Sequence, residues 1–182
     1  MKTITVPTRE TVSAANQQIF DTLAKKLGKV PNLFATMALS ENALATYLAL
    51  SNAKSSLKAK EKEVINLAVS QANACEYCTS AHTAIAKLNG FNDDQILEIR
   101  SGAASFDSKY DILAKLSINF VETKGKPDAA LLDAFYAAGY TDENLVDVIT
   151  VIADKTFTNY LFGATQIPVD FPAVPSLETV KA

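Results

Sequence analysis

Apolar residues recur at the spacing of an α-helix along almost the whole chain. Between residues 58 and 73, for example, Ile65, Ala68, Val69 and Ala72 stand at i, i+3, i+4 and i+7, the pattern of an amphipathic helix. Residues that favour helix starts and ends separate such stretches. These residues are Gly28, Pro31, Ser40, Asn73, Gly90, Asn92, Asp107, Pro127, Gly139 and Thr141. The pattern therefore predicts an all-α fold, a bundle of several helices.

The last predicted helix, which begins at Thr141, is the longest and the most apolar. Its middle, residues 145–152, has almost no polar face, so we expect burial on all sides, at the centre of the domain or against another subunit. Three prolines interrupt residues 166–182, which predicts a non-helical, extended C-terminal arm. The only short strand candidate is Thr3 to Val6.

The length of 182 residues fits one domain, with a core over about residues 12–165 and the arm over about 166–182. Seventeen basic residues against twenty acidic residues give a net charge of −3, which disfavours binding to nucleic acid or to an anionic membrane surface. The N-terminal sequence lacks the apolar segment of a signal peptide, and no window approaches the roughly 18 apolar residues of a membrane span. We therefore expect a cytoplasmic protein.

The chemistry-bearing residues are concentrated in one short segment. The chain has two cysteines and one histidine, Cys75, Cys78 and His82. The lack of a second histidine excludes a multi-histidine metal centre within the chain, so proton transfer by an imidazole requires His82 or a residue from another chain. No phosphate-binding loop or dinucleotide motif is present, and we expect no cofactor and no metal.

The two cysteines and the histidine share one face of a helix. If a helix begins near Cys75, Cys78 lies about 60° and His82 about 20° from it around the axis. The helix N-terminus favours a thiolate and lowers the pKa of a thiol below its free value of about 8.5. His82 can accept a thiol proton or, as an imidazolium, pair with the thiolate. This segment therefore favours reversible dithiol chemistry.

Glu63 is the carboxylate that can orient His82. It stands twelve positions before Cys75, and His82 stands seven positions after it. Because the chain is expected to reverse direction near Asn73, antiparallel helices would bring Glu63 and His82 level. A carboxylate on the far nitrogen of an imidazole fixes its tautomer and supports its role as a base.

Glu63, Cys75, Cys78 and His82, in this spacing, resemble the active-site pattern of the AhpD-like alkylhydroperoxidases of the carboxymuconolactone decarboxylase family. The segment KVPNLFATMALSENALATYLAL and the closing DFPAVP are also similar to members of about this length. The resemblance covers most of the chain. A CxxC motif alone is weak evidence, whereas its combination with the glutamate and histidine on a helical chain is fairly specific.

The resemblance implies a homo-oligomer, a trimer or a hexamer, that reduces hydroperoxides with electrons from a small dithiol or a lipoyl-bearing protein. It makes Cys75 and Cys78 the redox pair, and His82 and Glu63 the proton relay. Tyr77 stands where some peroxidases of the family have a second histidine, which leaves the relay one group short. Tyr77 itself can cover the thiols, donate a hydrogen bond or pack as an aromatic residue, and packing is the preferred interpretation.

Other interpretations of the cysteine pair stay open. Cys75, Cys78 and His82, with Glu63 as a fourth ligand, have a local spacing that suits zinc, although structural zinc sites usually take ligands from a distant segment as well. The cysteines can instead be small buried residues of a non-catalytic helical scaffold. Within the family, lactone decarboxylation is a further alternative, but that chemistry makes no use of a cysteine pair.

Overall fold

The computed structural model describes residues 4–177. Within this range the chain forms nine α-helices, a short 3-10 helix at Arg9–Thr11 and no strand. The helices are α1 (Ala14–Leu27), α2 (Asn32–Met37), α3 (Ala43–Ser51), α4 (Ala59–Ala72), α5 (Glu76–Leu88), α6 (Asp93–Arg100), α7 (Ser108–Glu122), α8 (Ala129–Ala137) and α9 (Asp142–Thr165). The all-α prediction is confirmed. Residues 4–6 of the strand candidate are not in a strand, and Thr3 lies outside the described residues.

The helices belong to two compact units. One contains residues 4–54 and 160–170, and the other contains residues 55–159 and 171–177. Helix α9 begins in the second unit and ends in the first. The single domain expected over 1–182 stays a prediction.

In the first unit, capping groups fix the ends of α1. The Ser13 hydroxyl accepts the backbone N–H of Asn16 at 3.3 Å, and Gly28 ends the helix with a φ of 76°, which glycine adopts without steric cost. The buried side chain of Asn16 donates to the carbonyl of Ala38 at 3.2 Å. Helix α3 begins at Ala43, and its N-cap residue is Asn42, two residues later than the expected cap at Ser40.

In the second unit, α4 packs against α5, α6 and α7, and α7 packs against α8. The apolar residues of α4 that are fully buried are Val64, Ile65, Leu67, Ala68 and Val69. They stand on more than one side of the helix, which lets α4 contact three neighbours at once. As a result, α4 is the central element of the unit that carries all the predicted site residues.

Helix α9 differs from its prediction. Val148 is fully buried, but Val146 is 63% exposed and Ile149 is 45% exposed. The expectation that this segment is buried at the centre of the domain is therefore wrong, whereas burial against another subunit stays a prediction. One side of this helix segment is packed within the chain, and apolar side chains form an exposed stripe on the other side.

The C-terminal arm is non-helical over residues 166–176, as predicted; residues 178–182 lie outside the described part of the chain. The guanidinium group of Arg100 donates to the carbonyl of Pro175 at 2.8 Å and to the side chain of Gln71 at 3.0 Å. The ring of Phe171, within the arm, also packs against the ring of Tyr77. Residues 171–177 are thus attached to helices α4, α5 and α6 of the second unit. No helix in residues 4–177 combines the length and the apolar composition needed to span a lipid bilayer.

Candidate active site

A tight turn between α4 and α5 places the cysteines. The backbone N–H of Cys75 donates to the carbonyl of Ser70 at 2.9 Å, and that of Ala74 donates to Gln71 at 3.0 Å. This pair of bonds is the Schellman motif that ends many helices. It requires a left-handed residue, here Ala74 with a φ of 50°, at a cost of about 1–2 kcal/mol for a residue other than glycine. The turn brings Cys75 directly to the start of α5.

Cys75 is the N-cap residue of α5. Its sulfur accepts the backbone N–H of Cys78 at 3.3 Å, and its carbonyl accepts the hydroxyl of Thr79 at 2.8 Å. Both cysteines are free thiols, 2% and 3% exposed respectively. The structure therefore brings the two predicted redox residues together at a helix N-terminus, and encloses them.

The two thiols have opposite acidities. The thiol of Cys75 donates a hydrogen bond to the sulfur of Cys78, which lowers the pKa of Cys78 to about 7 against the opposing effect of burial. The charge of Lys155 and hydrogen bonds from Asn159 and Thr158 act in the same direction. Donation of that bond, together with burial, raises the pKa of Cys75 far above its usual value. Cys78 is therefore the more acidic of the two thiols.

Glu63 on α4 and His82 on α5 form the expected pair. The carboxylate oxygen Oε2 of Glu63 lies 2.9 Å from Nδ1 of His82, and its other oxygen accepts the amide of Asn66 at 3.0 Å. Because an ionised carboxylate can only accept, Nδ1 carries the proton and Nε2 is left as the acceptor. The antiparallel arrangement expected from the spacing is present.

The charges of this pair are set by burial and by their neighbours. Burial opposes ionisation of Glu63, but His82, Asn66 and Lys155 outweigh it and lower the pKa of the carboxyl. Burial and the charge of Lys155 lower the pKa of His82, although Glu63 and Asp154 act against them. The pair is therefore a carboxylate and a neutral imidazole at neutral pH, which makes His82 a proton acceptor.

The predicted accessory residue, Tyr77, lies between the cysteines and is buried. Its ring packs edge-on against Phe171, with 5.5 Å between the ring centroids. This contact agrees with the preferred interpretation of Tyr77 as a packed aromatic residue.

Three polar residues of α9 that the sequence analysis did not identify lie at the site. Lys155, Thr158 and Asn159 are buried, and all three act on the Cys78 sulfur. They stand 77 to 84 residues beyond the cysteines and belong to no motif. The only sequence signal was a group of polar residues in an otherwise apolar helix.

In residues 4–177, no group of three or more histidine, cysteine, aspartate or glutamate side chains is arranged to hold a metal ion. The carboxylate of Glu63 is directed to His82 rather than to the cysteines. This geometry does not favour the zinc-binding interpretation, which needs Cys75, Cys78, His82 and Glu63 around one point.

A sequence model of the carboxymuconolactone decarboxylase family matches residues 38–109, the segment that contains Glu63, both cysteines and His82. This segment is therefore similar to the carboxymuconolactone decarboxylase family. No curated protein matches the chain in sequence.

Several solved structures share the fold of this chain. An uncharacterized peroxidase-related protein from Silicibacter sp. TM1040 is 22% identical, with a TM-score of 0.80 over 91% of this chain and 90% of that chain. An alkylhydroperoxidase AhpD core protein from Ralstonia eutropha JMP134, also peroxidase-related and uncharacterized, is 20% identical, with a TM-score of 0.80 over 96% and 93%. The debrominase Bmp8, as a cysteine-to-alanine variant with 2,3,4-tribromopyrrole bound, is 18% identical, with a TM-score of 0.76 over 93% of both chains. The AhpD-like fold predicted from the sequence is confirmed.

Proposed function

We propose that the protein is a cysteine-dependent oxidoreductase that reduces hydroperoxides through Cys75 and Cys78. The observation that carries the proposal is the hydrogen-bonded cysteine pair at the start of α5, where the pKa of Cys78 is about 7. A thiolate is the nucleophilic form of cysteine, and a pKa near the ambient pH combines a high thiolate fraction with good nucleophilicity. Cys78 is therefore the attacking residue, and Cys75 is the resolving residue.

The reaction proceeds in two covalent steps. The Cys78 thiolate attacks the terminal oxygen of the hydroperoxide, the O–O bond breaks, and a sulfenic acid forms while the alkoxide takes up a proton to leave as an alcohol. Cys75 then attacks the Cys78 sulfur, the S–O bond breaks, and water leaves with the Cys75 proton. The two sulfurs together lose two electrons, and the hydroperoxide gains them.

The resulting disulfide is reduced by an external dithiol, either a small molecule or a lipoyl-bearing protein. One donor thiolate attacks a sulfur of the disulfide to give a mixed disulfide, and the second donor thiol displaces the enzyme thiol. We place the protein in the cytoplasm, where thiol systems keep such cysteines reduced.

His82 and Glu63 handle the protons in this cycle. In the fraction of molecules in which Cys78 is still a thiol, the neutral imidazole accepts the thiol proton at Nε2 and returns it to the leaving alkoxide. Support comes from the 2.9 Å bond between Glu63 and Nδ1 of His82, which fixes the tautomer with a free Nε2.

Reductive debromination is a second candidate reaction. The similarity of fold to the debrominase Bmp8 favours it, and the cysteine pair of this chain can supply the two electrons that the reaction requires. Two thiols supply two electrons: the carbon–bromine bond breaks, the carbon takes a proton, bromide leaves and the disulfide forms. Lactone decarboxylation, in contrast, leaves the paired thiols unexplained.

The peroxidase proposal predicts loss of two thiols per equivalent of hydroperoxide. Because both sulfurs are almost fully buried, hydrogen peroxide, the smallest hydroperoxide, is used beside cumene hydroperoxide, and free thiols are counted at neutral pH. We expect both thiols to disappear and dihydrolipoamide to restore them. A parallel sample with 2,3,4-tribromopyrrole is assayed for bromide.

Thiols that stay reduced with every peroxide would contradict the peroxidase proposal. Bromide release by such a sample would instead support debromination. Thiols inert to all these reagents would favour the non-catalytic scaffold.

We also propose that the protein is a homo-oligomer, a trimer or a hexamer. The support is the apolar stripe of α9, where Val146, Ile149 and Phe157 are exposed in the single chain, since exposed apolar side chains in a row are typical of subunit interfaces. Light scattering is expected to give a mass of three or six chains of 19.5 kDa, and Val146→Glu is expected to lower it. A monomeric wild type would refute this part of the proposal.

A further inference from the structure

Helix α9 has a buried polar face at the active site. Lys155, Thr158 and Asn159 stand at i, i+3 and i+4, and each is at most 4% exposed. Asp154, the residue before them, is also buried. A lysine is rarely buried to this extent, because loss of hydration disfavours the ammonium form unless nearby groups compensate. The groups around Lys155 therefore indicate its role.

Hydrogen bonds place this face of α9 on the turn that carries the cysteines. The amide of Asn73 donates to the side-chain oxygen of Asn159 at 2.9 Å, and the amide of Asn159 lies 3.5 Å from the hydroxyl of Ser70. Asn159 also forms hydrogen bonds with both cysteine sulfurs. Lys155 lies one helical turn before Asn159, about 6 Å along the axis, and so belongs to the same side of the helix.

The charge of Lys155 reaches three groups of the site from this position. It lowers the pKa of Glu63 on α4 and the pKa values of Cys78 and His82 on α5. All three effects favour the same protonation pattern, two anions and a neutral imidazole. Glu63 and Asp154 act in the opposite direction on His82.

We infer that Lys155 is a positioning residue that holds Cys78 as a thiolate and keeps His82 neutral. One buried cation on α9 would thus set the state of both the nucleophile and the base before a substrate arrives. The role in turnover rests on the proposed function, whereas the effect on the thiolate does not. The clustering of Lys155 with Asn159, which contacts both sulfurs, supports this assignment on geometry.

The test measures thiolate formation directly by ultraviolet absorbance as a function of pH, which needs no reagent to reach the buried sulfurs. Cys78→Ser provides the baseline. We expect Lys155→Met and Lys155→Gln to raise the midpoint of Cys78 ionisation by at least about one pH unit, a tenfold smaller thiolate fraction below the midpoint. Lys155→Arg, which keeps the charge, is expected to retain most of the wild-type value.

Lys87→Met is the matched control. Lys87 lies near the far end of α5, where it pairs with Asp93 at the surface, so its removal changes the net charge equally without acting on the site. An unchanged midpoint in a folded Lys155→Met or Lys155→Gln protein would overturn the inference, as would an equal shift in Lys87→Met.

A measurement on the wild type keeps the inference testable if the neutral variants do not fold. His82 is the only histidine, so its imidazole signals in NMR spectra need no separate assignment. We expect a neutral ring with the proton on Nδ1 at about pH 7, and an imidazolium there would overturn the inference. The midpoint of Cys78 ionisation and the rate of peroxide reduction are measured separately. A failed inference about Lys155 and a failed peroxidase proposal would therefore give different results.

Discussion

Cys78→Ser is expected to lower the single-turnover rate of hydroperoxide reduction at least about a thousandfold, because removing an attacking nucleophile removes the covalent pathway. The oxygen of serine is far less acidic than a thiol and cannot replace a sulfur whose pKa is about 7. The measurement is peroxide consumed by the reduced protein in rapid-mixing experiments without an electron donor. Circular dichroism confirms that the variant remains helical.

Cys75→Ser is the matched variant, since it removes the other sulfur of the same pair. We expect it to consume one equivalent of peroxide and to retain a sulfenic acid on Cys78, which dimedone captures and mass spectrometry locates. Its rate at neutral pH should stay close to that of the wild type, because the serine hydroxyl can still donate the hydrogen bond that lowers the pKa of Cys78. Dimedone capture on Cys75 in Cys78→Ser, with wild-type rates, would reverse the assignment of the two cysteines.

The position of Glu63 beside His82 could be predicted because both residues lie on helices that meet at one short turn. Helical rise and a reversal near Asn73 were enough to bring them level, and the 2.9 Å bond confirms the pairing. The placement of the cysteines at a helix start followed from the same local periodicity. Local helical geometry was therefore sufficient to predict this part of the site.

The contribution of α9 could not be predicted because it depends on a contact between distant segments. Lys155 and Asn159 reach the cysteines only through the packing of the second unit, and a single sequence contains no periodicity that reports such a contact. Ala74 was likewise unrecognised, since the left-handed residue of a Schellman turn is usually a glycine. The apolar run in α9 predicts burial at the domain centre or against another subunit without distinguishing them, because periodicity measures apolar content, not which neighbour covers each side.

His82→Ala is expected to lower the rate of peroxide reduction about a hundredfold at pH 7, where the imidazole passes the Cys78 proton to the leaving alkoxide, and much less at about pH 9, since general acid–base catalysis typically contributes about 10²–10⁴. Burial and Lys155 lower the pKa of His82, so its imidazole is neutral at pH 7 and can accept the Cys78 proton. At about pH 9 the thiol ionises without a base. The measurement is the initial single-turnover rate between about pH 6 and pH 9.

Glu63→Gln is expected to show a smaller loss of about tenfold at pH 7, because the glutamine oxygen can still accept the Nδ1 proton and preserve the tautomer while the supporting charge is lost. Without the carboxylate, the pKa of His82 should fall further, which weakens it as a base and moves the acidic limb of the rate profile to lower pH. Glu76→Gln is the control, because Glu76 is an exposed carboxylate in the first turn of the same helix. If His82→Ala and Glu63→Gln reduced the rate equally at pH 7 and at about pH 9, the pair would act by maintaining the structure of the site, and the base role of His82 would have to be abandoned.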